Sequence, residues 1–130
     1  MRPRRLHRVL GRRIPPRRFA RLVGEALADL PAAFARRLEN VAVVIADRPT
    51  TAQLRALGLG PDETLFGLYE GTPYGERGTS YHLVLPDRVT IYREPILAAC
   101  GTTQEIKDEI RLTVIHELGH YFGLSDDDLP

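Results

Sequence analysis

A single cysteine, Cys100, stands in a chain of 130 residues. This excludes an intramolecular disulfide framework and a Cys-rich zinc module, and it fits a reducing compartment. Cys100 itself reads as a small buried apolar residue. No stretch approaches the roughly 18 consecutive apolar residues of a membrane span. After Arg21 the sequence runs LVGEALADLPAAFARR, with acids at Glu25 and Asp29, so the apolar core of a secretion signal, about 7 to 15 residues, is also missing. The expected location is therefore the cytoplasm. There are no internal repeats, and the only methionine is Met1.

Acid is absent from residues 1 to 21, which hold nine arginines, so behind a formal net charge of +1 the remaining 109 residues carry 9 basic against 17 acidic groups. Lysine is scarce too: seventeen of the eighteen basic residues are Arg, which reflects codon usage in a GC-rich genome more than chemistry. We expect residues 1–16 to be an Arg-rich flexible head and residues 17–130 a single domain with one core. The head could bind nucleic acid or an anionic surface. Prolines at 3, 15 and 16 break any helix there, and no aromatic is interleaved for base stacking, so a solvated tail is the favoured reading.

From Arg17 the apolar positions Phe19, Leu22, Val23, Ala26, Leu27 and Leu30 recur at three and four, which predicts a helix with one buried stripe. Pro31 interrupts or restarts it. VAVVIAD, 41–47, is a β-branched run that predicts a strand covered on both faces. Thr50 and Thr51 cap a short helix through Leu57, ended by Gly58 and Gly60. TLFGLYEG, 64–71, and the segments around YHLVL, 81–85, and DRVTIYR, 87–93, predict short strands, with TPYGERGTS as a Gly-rich loop between them. Helical patterning returns at PILAAC. Thr102 with Glu105 forms a capping box that opens a helix of about 20 residues running to Phe122, with Gly123 as its stop. The pattern is α+β: a small mixed sheet packed on an N-terminal helix and a long C-terminal helix.

That last helix carries HELGHYFGLSD, residues 116–126. At 100° per residue, His116 and His120 lie one turn apart on one face, a spacing that lets two imidazoles reach one zinc ion at about 2.0 to 2.1 Å each. Glu117 shares that face and sits beside the open coordination position. There it can take a proton from water on the metal and deliver it to a leaving amine. Helix-terminal histidines on the negative end of a dipole are the plainer explanation. Against it, Val114, Ile115, Leu118, Tyr121 and Phe122 cover the other directions, which predicts a buried helix end whose polar strip must be satisfied. Chance also disfavours it, since roughly one such chain in a hundred would hold an accidental HExxH at this composition. A chain reversal at Gly123 would bring Asp126 to face the histidines as the third ligand, with Asp127 and Asp128 as competitors or as a solvated acidic tail. Gly119, costing about 1 kcal/mol against Ala in mid-helix, reads as a close approach of the sheet or of a substrate.

HExxHxxGxxD is similar to the zincin metallopeptidases whose third ligand is Asp, a pattern that the small secreted snapalysins share. The run from RRFARLVGEALADLP through LENVAVVIADRP, ETLFGLYEGTP, DRVTIYREPI and TVIHELGHYFGLSDDDL resembles the minimal zincin-like metallopeptidase family of bacteria over about residues 17 to 129. The resemblance implies a compact zincin-like core, His116, His120 and Asp126 as ligands of one zinc ion, and Glu117 as base. It departs from metzincins, which place His where Asp126 stands and carry a Met-turn. No Glu ligand of the gluzincin type follows before Pro130. An Asp ligand leaves the site at net +1, against +2 for three neutral histidines, and so makes the metal a weaker Lewis acid.

The function expected from this is a monomeric zinc-dependent peptidase that hydrolyses peptide bonds by Glu-assisted attack of metal-bound water on a peptide or protein substrate. The alternative is a catalytically inactive zincin-like metal-binding scaffold acting through partner binding. An iron facial triad of two His and one carboxylate would leave Glu117 without a role, and too few strands remain for the barrel such sites usually occupy. Peptide is expected to add as a strand to the sheet edge at TLFGLYEGTPYGERGTSYH. Tyr69, Tyr74, Tyr81 and His82 are candidates to stabilise an oxyanion, although His82 reads better as a structural histidine. Tyr121 is assigned to packing, and Thr113 with Glu109 either orients the ligands or is solvated.

Overall fold

The computed structural model describes residues 3–5, 14–60, 62–71 and 87–122. The first helix, α1 (Pro16–Ala28), begins at a proline, as a position whose N–H has no intrahelical acceptor allows, and it buries Phe19, Leu22, Val23 and Ala26. That stripe is the one predicted. On its opposite face Arg17, Arg18 and Arg21 are exposed. Pro31 restarts the chain as the N-cap of α2 (Ala32–Arg37), which buries Phe34.

The sheet that follows is mixed and, among the described residues, three-stranded. β5 (Asp87–Tyr92) lies in the middle. β2 (Val41–Ala46) runs parallel to it, pairing Val41 with Asp87 through Ala46 with Tyr92. β4 (Gly67–Glu70) runs antiparallel, pairing Gly67 with Ile91 through Glu70 with Arg88. Val89 and Ile91, two residues apart on one face of this strand, are fully buried in the core formed with the helices, while Arg88 between β4 and β2 is exposed. β2 is different from the expectation: as an outer strand among the described residues it leaves Val44 39% and Ile45 36% exposed, so its apolar run is not covered on both faces. The predicted strand at 64–71 is in fact two. It breaks at Phe66 into β3 (Glu63–Leu65) and β4, and β3 belongs to a separate two-stranded sheet with β1 (Pro3–Arg5). Within the arginine-rich head, Pro3–Arg5 is therefore a paired strand.

Short helices close the gaps. α3 (Thr51–Ala56) has the expected cap at Thr50, whose side chain accepts from the Gln53 amide while the Gln53 side chain accepts from the Thr50 amide. Gly58 ends it with φ of 73°, a left-handed turn that glycine enters without a Cβ penalty. Tyr92 donates its hydroxyl to Gln53 at 3.1 Å, tying this cap to the central strand. α4 (Arg93–Ala99) follows β5 directly, and α5 (Thr103–Tyr121) is the long last helix. The segment around 81–85 and the Gly-rich loop at 72–80 lie outside the described residues, as does Gly123. No described helix is long and apolar enough to cross a membrane.

The core joins α1, α5 and the sheet through Phe19, Leu22, Ile91, Ile110, Val114 and Leu118. Ile110 is fully buried at its centre. Ile110→Ala should lower stability by about 2–5 kcal/mol through lost transfer energy and the cavity left behind, measured by denaturant unfolding. The close approach of helix to sheet is at Gly67, where a Cβ would stand 2.5 Å from Thr113 Cγ2 and 3.0 Å from the Thr90 carbonyl oxygen. Neither partner is the loose end of a flexible chain. Gly67→Ala should therefore cost about 1–3 kcal/mol by overpacking and push β4 away from α5.

Candidate metal centre

α5 is opened by Thr102, whose side-chain oxygen accepts from the Glu105 amide at 3.0 Å. Glu105 returns its carboxylate to the Thr102 hydroxyl at 3.2 Å, not to the backbone amide, so the capping box is half realised. The helix then buries Ile106, Ile110, Thr113, Val114, Ile115, Glu117, Leu118 and Gly119. Burial stops there. His120, Tyr121 and Phe122 are exposed, Tyr121 by 50% and Phe122 by 45%. The expectation of a buried helix end is corrected to a helix whose last turn is exposed at His120, Tyr121 and Phe122.

This emergence places the candidate residues in graded surroundings. Glu117 is 4% exposed, His116 is half-buried and His120 reaches solvent. The two imidazoles lie on one face with ring centres 6.1 Å apart and planes at 83°. His116 Nδ1 and Glu117 Oε2 are both sealed from solvent. Glu117 Oε1 accepts a hydrogen bond from the backbone amide of Tyr69, on β4, at 2.9 Å. A buried carboxylate needs such a donor, since taking an unsatisfied charge out of water costs several kcal/mol.

Around this group the packing is aromatic. The Tyr69 ring stacks on Tyr121 with centres 4.0 Å apart and 23° between planes. Its hydroxyl donates to Asp87 Oδ2 at 2.8 Å, so this phenol is directed at β5. Tyr121 meets Phe122 edge to face at 5.2 Å, and the Arg37 guanidinium covers Phe122 at 4.9 Å, a cation–π contact. Tyr121 thus packs, but against β4 and not within the core. Thr113, one turn before Glu117, is 2% exposed and donates to Glu109 Oε2 at 3.2 Å.

Of the residues singled out from sequence, His116 and His120 lie with ring centres 6.1 Å apart, and Glu117, on the same helix, is buried against the Tyr69 amide of β4. Asp126, Asp127, Asp128, Tyr74, Tyr81 and His82 lie outside the described residues. Among the described residues there is no cluster of three or more His, Cys, Asp or Glu able to hold a metal. Cys100 is not a competitor. Burial, and then Glu109, Glu105 and Asp108, push its thiol from 9.0 up to about 11, which keeps it protonated and unreactive at neutral pH. A raised folded-state value contributes stability that is complete below the unfolded value near 9 and is lost as pH rises toward 11. Thiol alkylation at pH 7.5 should accordingly need denaturant, as mass spectrometry after timed labelling would report. Tyr69 was singled out for its phenol, which instead bonds Asp87; what spacing along the chain did not disclose is Asp87 and the Tyr69 backbone amide, since no linear pattern shows that an amide 48 residues upstream meets Glu117.

A family model described as zincin-like metallopeptidase matches residues 38–130. The structure is also similar to that of a conserved hypothetical protein from Thermo thermophilus, with a TM-score of 0.53 and 22% identity over 83% of this chain and 94% of that one. At that identity the likeness concerns the fold. No curated protein matches.

Proposed function

This chain belongs to the zincin-like metallopeptidase family, and from that premise we propose that it is a zinc-dependent peptidase in which His116, His120 and Asp126 hold one zinc ion and Glu117 is the catalytic base. The observation that carries the reading is Glu117, a carboxylate buried on the helix that also carries two neighbouring imidazoles one turn apart. A purely structural site needs no such group next to its ligands. Two imidazoles on one ion at about 2.0–2.1 Å have ring centres about 5 Å apart, so the 6.1 Å spacing fits after a small side-chain rotation. Zinc held there supplies Lewis acidity and lowers the pKa of coordinated water toward 7.

The work of the chain itself falls to Glu117. Its Oε1 is held by the Tyr69 amide, and Oε2 is the oxygen that accepts the proton of the attacking water and passes it to the leaving amine. Substrate peptide is proposed to lie extended along β4, an outer strand among the described residues, using backbone hydrogen bonds for affinity. The zinc-supplied protein, incubated with a broad peptide library and followed by mass spectrometry, should yield defined cleavage products. No cleavage of any peptide by protein that does bind zinc would favour the alternative, an inactive scaffold acting through a partner.

A further inference from the structure

Glu117 is carried by α5 but oriented by β4, and we infer that Tyr69 is the positioning residue of this carboxylate, with Asp87 and Tyr121 acting through it. The catalytic half of the inference rests on Glu117 as base; the structural half does not. The Glu117 side chain has three rotatable bonds, so its buried end is fixed only as well as the groups that hold it, and the Tyr69 amide holds it at 2.9 Å. β4 is four residues long, and Tyr69 is its third. So short a strand holds an amide near its end poorly on ladder bonds alone. The Tyr69 side chain supplies two further ties. Its hydroxyl is bonded to Asp87 on β5 at 2.8 Å, and its ring stacks at 4.0 Å on Tyr121 of α5.

Tyr121 stands four residues beyond Glu117, one helical turn away. The ring of Tyr69 therefore grips α5 one turn past the residue its amide holds, and the strand-to-helix spacing is set on both sides of Glu117. Gly71 makes room for this: a Cβ there would stand 3.3 Å from the Tyr121 ring and 3.5 Å from Asp87 Oδ1. Since a misplacement of about 1 Å can lower a rate about 100-fold, loosening this clamp should act on the chemical step and not on metal binding.

The test is amide hydrogen exchange by NMR on the full chain supplied with zinc, in parallel with peptide kinetics, for Asp87→Ala, Tyr121→Ala and the conservative variants Asp87→Asn and Tyr121→Phe. The Tyr69 amide should exchange at least about tenfold faster in both alanine variants, as it does in Glu117→Ala, while the Ile91 amide of the central strand is unchanged. In the alanine variants kcat should fall about 10–100-fold with KM within about twofold and zinc still bound. Asp87→Asn keeps an acceptor and Tyr121→Phe keeps the stack, so both should stay near the wild-type values. Unchanged Tyr69 exchange in the two alanine variants would overturn the inference. Altered exchange with wild-type kcat would overturn its catalytic half. If the wild-type protein hydrolyses nothing, the peptidase reading fails by itself, and the exchange data still decide whether Tyr69 positions Glu117.

Discussion

Glu117→Gln is expected to lower peptide hydrolysis by about 10²–10⁴-fold, the usual contribution of a positioned general base, while the protein keeps its zinc. The separation follows from geometry. Gln is nearly isosteric, and its amide oxygen can still accept from the Tyr69 N–H that Glu117 Oε1 now receives at 2.9 Å, so the fold should be preserved. What is lost is the second carboxylate oxygen, which is sealed from solvent and which Gln replaces with a group that cannot accept a proton. Removing a buried charge also removes its desolvation cost, so thermal stability should stay level or rise slightly. The check is kcat/KM on a cleaved peptide together with metal content and a melting curve. A fall in activity accompanied by loss of zinc would make Glu117 a ligand or a structural group instead.

Removing zinc should destabilise the protein sharply. The last turn of α5 leaves His120, Tyr121 and Phe122 exposed, so few core contacts hold it. A ligand that binds only the folded state at about 100 times its Kd adds about 2.7 kcal/mol. For a domain of this size that amounts to roughly 10 °C in Tm. Calorimetry with and without a chelator should show that difference, and it should vanish in His116→Ala, which lacks one of the proposed ligands. Equal melting temperatures in both conditions would mean that no metal joins α5 to the rest of the chain.

These expectations draw on features of unequal visibility in the sequence. The α1 stripe was legible because Phe19, Leu22, Val23 and Ala26 recur with the helical period and all four are buried. The start of α5 was legible from the Thr102 and Glu105 pair, and the neighbouring of His116 and His120 from the helix repeat. The resemblance to zincin-like metallopeptidases, carried by motif and flanking runs, agrees with the family match over residues 38–130.

Features set by tertiary neighbours were not legible. VAVVIA reads as a fully covered strand, yet whether Val44 and Ile45 are covered depends on their place in the sheet, and β2 lies at its side. The break of TLFGLYEG at Phe66 follows from the two halves pairing with different strands, β1 and β5. Burial of Tyr121 and Phe122 was inferred from their apolar character, but both are exposed, Tyr121 with its ring stacked on Tyr69. The tie from Tyr69 to Glu117 uses a backbone amide, which every residue but proline has, so no residue type marks it. The close approach of sheet to helix at Gly67 against Thr113 was not singled out from sequence, where Gly119 was assigned that part.

The most direct test of the account is zinc stoichiometry by elemental analysis on untagged protein purified without chelator, compared with Asp126→Ala and His116→Ala. The account predicts about one zinc per chain in the wild type and loss or sharp weakening of binding in both variants, since three protein ligands define such a site. Wild-type protein that holds no zinc after zinc is supplied would contradict it, and His116, Glu117 and His120 would then be the polar end of a helix without a metal centre.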